Sequence, residues 1–257
     1  TDRTRRRGAR VMGLWQATDD LSLEATLIDQ TISTRDAHYV DPSLGPLSRA
    51  AAVAEPHDND FLALALAAHW SPAWGRLTIS LGALDHDVST TYDASGAPAL
   101  LIAPGAHGAT FEDGNEIRGV VGEMRLSSIG AGRLHWTLGA FGALGDQRLD
   151  AELTPEEPVA GYEEHRRDQL REGALFGEAS YDVTRTLTLT LGGRAFGSQL
   201  RTRSEITING PVRTFAGRTH QGGFAPKLMA AWRPAPGMTF YVQAAEGYRT
   251  AGFNTSG

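Results

Sequence analysis

Side chains along this chain alternate with a period of two, in pairs of segments separated by short turns. From Phe61 to Trp70, Leu62, Leu64, Leu66, Ala68 and Trp70 share one face, while Phe61, Ala63, Ala65, Ala67 and His69 share the other. After a turn at Ser71 to Gly75, Leu77, Ile79, Leu81 and Ala83 alternate with Thr78, Ser80 and Gly82. A half-apolar strand requires that alternation and a helix does not. The pattern predicts an all-β chain.

The unit recurs four times. Val11, Gly13 and Trp15 lead through Thr18 to Asp20 into Leu21, Leu23, Ala25 and Leu27. Val120, Gly122, Met124 and Leu126 lead through Ile129 to Gly132 into Leu134, Trp136, Leu138 and Ala140. Leu175, Gly177, Ala179 and Tyr181 lead through Thr184 and Arg185 into Leu187, Leu189 and Leu191. Leu228, Ala230 and Trp232 lead through Pro234 to Gly237 into Met238, Phe240, Val242 and Ala244. These are five hairpins and about ten meandering antiparallel strands, spaced by roughly 50 to 60 residues, an architectural period and not a short solenoid repeat.

Between hairpins lie longer polar or Gly/Pro-bearing segments: Thr34 to Asp58, Val88 to Asn115, Gly145 to Leu170 and Arg201 to Gly217. Short connections at one end and long ones at the other are the pattern of a transmembrane β-barrel, with short periplasmic turns and long extracellular loops. Trp15, Trp70, Tyr181 and Trp232 each close the apolar face just before a short turn, where an aromatic girdle meets lipid headgroups. The third hairpin departs, with Ser128 in that place and Trp136 in the next strand. Opposite the leucines, Glu24, Glu123, Arg125, Arg194, Lys227 and Arg249 stand among small and polar residues. That wet face suits a barrel lumen, and it equally suits a one-sided soluble sheet. Leu189 and Thr190 test the assignment: an arginine at 189 is expected to cost roughly 2–4 kcal/mol if the leucine face meets lipid, and one at 190 much less.

Composition removes several alternatives. The 257 residues carry 24 basic and 30 acidic side chains for a net charge of −6, with no cysteine. Disulfide scaffolds, thiolate zinc sites and cysteine nucleophiles are excluded. Arg3 to Arg10 is the sole basic run, so nucleic-acid binding has no electrostatic footprint. It carries no apolar stretch behind it and is not read as a leader. The longest segment without charge, Ala94 to Phe111, is broken by Pro98 and Pro104 and cannot be a membrane helix.

The stretch from Phe224 to Asn254, FAPKLMAAWRPAPGMTFYVQAAEGYRTAGFN, resembles the mid-barrel signature of TonB-dependent outer-membrane receptors. There a strand, a short turn and a strand ending in GYR and GGFN follow one another. The matching residues are Gly247, Tyr248, Arg249, Gly252, Phe253 and Asn254, with Ala251 in place of the first glycine of the pair. ALFGEASYDVTRTLTLTLGGR (174–194), Glu123 to Ser128 and Gly8 to Leu27 are similar to other hairpins of the family. The resemblance implies a bacterial outer-membrane receptor that spends energy from a TonB complex, through a plug domain, to import a scarce nutrient. A ferric siderophore is the foremost ligand, with cobalamin or an oligosaccharide behind it. On this reading residues 1–257 are an internal part of the barrel domain, with plug and closing strands expected to be absent. A passive porin-like channel or structural barrel is the alternative.

No catalytic chemistry is expected and no cofactor. The chain has no G-x-S-x-G elbow, P-loop, H-E-x-x-H or G-x-G-x-x-G, and no Ser/His/Asp set with recognisable spacing. Gly139, Gly142 and Gly145 lack the following helix of a phosphate cradle. His57 to Asp60 and Asp85 to Asp87 carry ligand-type side chains, but strand ends commonly meet water with such residues. The acidic segment Gly145 to Leu170 is the foremost candidate for ligand selectivity, since outer loops on a rigid barrel carry recognition.

Overall fold

The computed structural model describes residues 3–36, 40, 42–46, 48–95, 108–155, 161–208, 210–248 and 252–253. The strands are β1 (Thr4–Gln16), β2 (Leu21–Thr34), β3 (His57–Trp70), β4 (Gly75–Asp93), β5 (Ala109–Ser128), β6 (Leu134–Pro155), β7 (Tyr162–Asp182), β8 (Leu187–Ile208), β9 (Arg213–Trp232) and β10 (Phe240–Ala245). They form a single ten-stranded sheet in chain order, each antiparallel to the next. Among the described residues there is no α-helix, only a short 3-10 turn at Pro42–Leu44. Among the same residues β1 pairs only with β2 and β10 only with β9, so the sheet is open at both sides.

Every ladder from β1 to β9 keeps a constant register without a bulge, so a side chain's face follows from its parity along the whole strand. The rows also climb. One runs Leu23, Ala68, Ile79, Met124, Ala140, Leu175, Ala195. It starts two residues above the foot of β2 and ends eight above the foot of β8. Six residues of shear over six strand steps tilt the strands by about 35°, as a closing barrel requires.

Burial is inverted relative to a soluble sandwich. Leu175 and Leu191 are each 67% exposed, while Ala174 is 8% and Thr190 1% exposed. The sheet therefore curls with its leucines on the convex side and its threonines, serines and charges crowded on the concave side. The convex face stays apolar from each foot until Arg7, Asp29, Asp60, Asp85, Arg118, Asp146, Arg171, Gln199 and His220 on β1 to β9. Those positions lie eight to twelve residues above the feet, the length of a tilted strand crossing a bilayer.

Two segments read as loops are mostly ladder. β6 runs to Pro155 and β7 starts at Tyr162, so much of the acidic stretch 145–170 is paired strand. Likewise β8 runs to Ile208 and β9 starts at Arg213. On β6 the alternation persists there but changes side, with Leu149, Ala151 and Leu153 on the concave face and Asp150, Glu152 and Thr154 on the convex one, while 162–169 of β7 is polar on both faces apart from Tyr162 and is held by backbone pairing. A small apolar cluster of Ala109 and Leu153, flanked by Phe111 and Tyr162, packs this far end on the concave side.

Candidate functional site: the concave wall

Charged and aromatic side chains on the concave face gather around Arg194. Its guanidinium lies 3.2 Å from Glu172 and 3.3 Å from the Tyr248 hydroxyl. It also sits 4.9 Å from the Phe141 ring and 5.7 Å from that of Tyr248, at cation–π range. Tyr248 donates its own proton to Glu172 and stacks on Phe196 with centroids 3.7 Å apart. Arg194 Nε is buried without an acceptor among the described residues.

Gly139 makes this arrangement possible. Phe176 lies directly opposite it, and a Cβ at 139 would clash with the ring, only 2.2 Å from Phe176 Cζ. The ring can lie flat on β6, 6.0 Å from Arg194 on one side and 6.0 Å from Arg125 on the other. Lys227 meets Glu178 at 2.6 Å and Arg125 meets Glu123 at 2.6 Å. A groove of about 680 Å³ runs between Arg125, Phe176, Glu178, Arg194, Lys227 and Tyr248. Glu24 stands apart on β2, with His69 3.8 Å away.

Higher on the same face a second polar tier forms. Ser204 donates to the buried Glu164 at 2.9 Å, which also accepts from the Tyr162 hydroxyl. Burial and then that bond push the Tyr162 hydroxyl well above the ordinary tyrosine value. Arg166 pairs with Asp168 at 2.8 Å, and Thr202 donates to Asp168 at 2.5 Å. These groups can hold polar and anionic parts of a ligand, because cations, acids and hydroxyls alternate across neighbouring strands.

Of the motif residues, Gly247 and Tyr248 leave the end of β10, and Tyr248 reaches back across β9 to β8 and β7. Phe253 sits edge-on to Phe215 at 5.5 Å, and Gly252 has no neighbour near its missing Cβ. Arg249 and Asn254 lie outside the described residues. Glu172, Phe141, Phe176 and Phe196 were not singled out by sequence; their one signal was shared parity on adjacent strands.

The aromatics at the strand feet occupy the convex side. Trp70 donates its indole N–H to Asp20 at 3.0 Å, joining two turns, and packs edge-on to Trp74 at 5.7 Å. Bonds from Thr18 and then Trp70 hold the Asp20 carboxyl below the ordinary carboxylate range. Trp15, Tyr181 and Trp232 are exposed there, and Trp232 leans against Phe240 at 5.8 Å. In the third hairpin Ser128 accepts the Trp136 backbone N–H at 2.9 Å, and the Trp136 ring takes the convex position. The His57 to Asp60 and Asp85 to Asp87 clusters are split by alternation. His57 bonds Thr90 at 2.8 Å and His86 bonds Asn59 at 3.2 Å. Among the described residues no three His, Asp or Glu side chains come together as a metal site.

A tilted, bulge-free meander with an apolar convex band and a charged concave wall defines part of an outer-membrane-type β-barrel. The chain belongs to the family of TonB-dependent receptor-like β-barrels, whose model matches residues 2–257. Among solved structures it is similar to the ferric yersiniabactin uptake receptor FyuA of Yersinia pestis, at TM-score 0.82 and 13% identity over 97% of this chain and 40% of that one. The ferric-catecholate import receptor Fiu of E. coli K12 in its closed form follows at TM-score 0.63 and 12% identity, covering 94% and 43%. The alcaligin outer-membrane receptor FauA of Bordetella pertussis gives TM-score 0.58 at 12% identity, covering 93% and 35%. The chain thus spans less than half the length of these receptors. No curated protein matches it significantly.

Proposed function

We propose that these residues form part of the wall of a bacterial outer-membrane receptor for energy-coupled uptake of a scarce nutrient, a ferric siderophore foremost. The observation that carries this reading is the pairing of an apolar convex band of membrane-crossing length with a concave wall of ion pairs. A passive wall needs only wetting groups. The Arg194–Glu172–Tyr248 constellation instead offers fixed, partly dehydrated charges that a partner inside the barrel can exchange for its own. In the full-length receptor that partner is a plug, moved by the TonB complex of the inner membrane. The wall's own chemistry is binding and positioning, with no bond made or broken.

The test uses the full-length protein in a strain lacking its own ferric-siderophore receptors. Uptake of a radiolabelled ferric siderophore is expected, and it should stop when the TonB complex is deleted. Uptake that persists without that complex would make the barrel a passive channel. Lack of uptake for every ferric siderophore, with uptake of another nutrient, would reassign the ligand.

A further inference from the structure

One motif residue stands on the face opposite to its parity. Along β10, Phe240, Val242 and Ala244 pair with Trp232, Ala230 and Leu228, so even-numbered positions point to the convex side. Continued through Glu246, that alternation would turn Tyr248 outward. Its ring lies instead on the concave side, against Phe196, Arg194 and Glu172. The ladder to β9 ends with the Glu246 N–H on the Pro226 carbonyl at 3.0 Å, and the alternation breaks at Gly247. Nothing lies within 4 Å of a Cβ built at Gly247, so the inward turn is made in open space and is not imposed by packing.

The wall carries a seat for this ring. Gly223 is the direct partner of Phe196, and a Cβ there would press on the Phe196 ring at 3.3 Å. Its absence gives Phe196 room to lie under Tyr248. Phe253 is seated in the same way, since a Cβ at Gly217 would come within 2.9 Å of both Phe215 and Phe253. The two seats differ in kind. Phe253 rests on another phenyl ring, whereas Tyr248 also depends on charge, through its bond to Glu172 and the Arg194 guanidinium over its ring. Glu246, Gly247 and Tyr248 border the groove of about 680 Å³, whose other side carries Arg125, Phe176 and Lys227.

We infer that Gly247 and Tyr248 form a gate in the lumen, seated on Phe196 while Glu172 and Arg194 hold each other, and released when a plug side chain takes either charge for itself. The groups that a plug engages are the acceptor of the Tyr248 hydroxyl and the cation at its ring, and they form one ion pair at 3.2 Å. Engagement at either one disturbs both polar holds and leaves the ring stack to keep the seat. Plug movement and widening of the groove are thereby one event, because a ligand of the wall's charges acts on the two positions of Tyr248 unequally. This inference rests on the proposed uptake function.

The experiment uses the full-length receptor in a strain without other ferric-siderophore receptors, supplied with radioiron complexes of a catecholate and a hydroxamate siderophore. Phe196→Cys and Tyr248→Cys are introduced together and joined by a short, reducible bis-thiosulfonate crosslinker. The linked receptor should bind the iron complex at the cell surface as before but import it at least tenfold more slowly, and reductant should restore import. Ser198→Cys with Gln221→Cys, direct partners on the same wall, should link with no effect on import. Tyr248→Phe, which keeps the stack and loses the hydroxyl, should import severalfold faster when TonB is limiting. If the unlinked 196–248 pair itself does not import, Tyr248→Phe decides alone. Import at the full rate through the 196–248 link, failure of that pair to link, or slower import by Tyr248→Phe overturns the gate and leaves the uptake reading standing. Import by the unmodified receptor without TonB, or no import of either complex, sinks the uptake reading and the gate with it.

Discussion

Tyr248 stacks on Phe196 with an interplanar angle of 13° while its hydroxyl bonds to Glu172, 76 residues earlier in the chain. One side chain from the segment after β10 thereby reaches across β9 and ties β8 to β7. The bond also places a proton donor on the acid that pairs with Arg194. The conformation of that acid is consequently fixed from two sides.

Tyr248→Phe keeps the stack and removes the hydroxyl. In the full-length barrel it should lower stability by about 1–2 kcal/mol, the worth of a hydrogen bond to a charged group discounted for partial exposure. A double-mutant cycle of Tyr248→Ala with Phe196→Ala should return a coupling of about 0.5–1.5 kcal/mol, measured by thermal loss of the folded barrel. Zero coupling would mean that the ring contact contributes nothing.

The face assignment is best tested at Leu66 and Ala65. They are adjacent, exposed, and of opposite parity on β3. Leu66→Arg should cost roughly 2–4 kcal/mol, and Ala65→Arg much less. Thr190, the sequence-based choice for a tolerant inward site, is unsuitable. It is 1% exposed and bonded to Ser180 at 2.8 Å, so an arginine there would be overpacked. Equal cost at 65 and 66 would remove the distinction between lipid and lumen.

His165 supplies a pH dependence beyond the apolar band. It bridges Asp150 at 2.5 Å and Glu163 at 3.0 Å, and those bonds, Asp150 first, raise its pKa above the ordinary histidine value. A raised folded pKa stabilises fully below the unfolded value, and that contribution disappears as pH rises through the folded one. Amide exchange around 148–152 and 163–167 should therefore be slower, relative to intrinsic rates, at pH 5.5 than above the folded pKa. Asp150→Asn should bring the His165 titration, followed by NMR, back toward about 6.5. An unshifted titration in the native protein would exclude the bridge.

Orientation can be read by thiol labelling of the full-length receptor on intact cells. A cysteine at Ser43, beyond the far end of β2, should react with an impermeant reagent. Cysteines at Ala73 or Ala235, in the short connections, should stay silent until the outer membrane is opened. The opposite pattern would invert the barrel.

Alternation along Leu62 to Trp70 or Leu187 to Leu191 was enough to define strands, faces and hairpin partners, because a period of two is local and a bulge-free ladder carries it from end to end. The GYR residues likewise pointed to the family from sequence alone. Sequence did not show that β6, β7 and β8 continue through 146–155, 162–170 and 201–208. There the convex face turns polar and the apolar residues, Leu149, Ala151, Leu153 and Ile206, move to the concave side, so the pattern no longer matches the lower strands and backbone pairing extends the sheet. Nor could it assemble Glu172, Arg194 and Tyr248, whose separations of 22 and 54 residues are bridged only by strand order and register. Tertiary structure alone decided these, because one residue of shear per strand determines which distant side chains share a row.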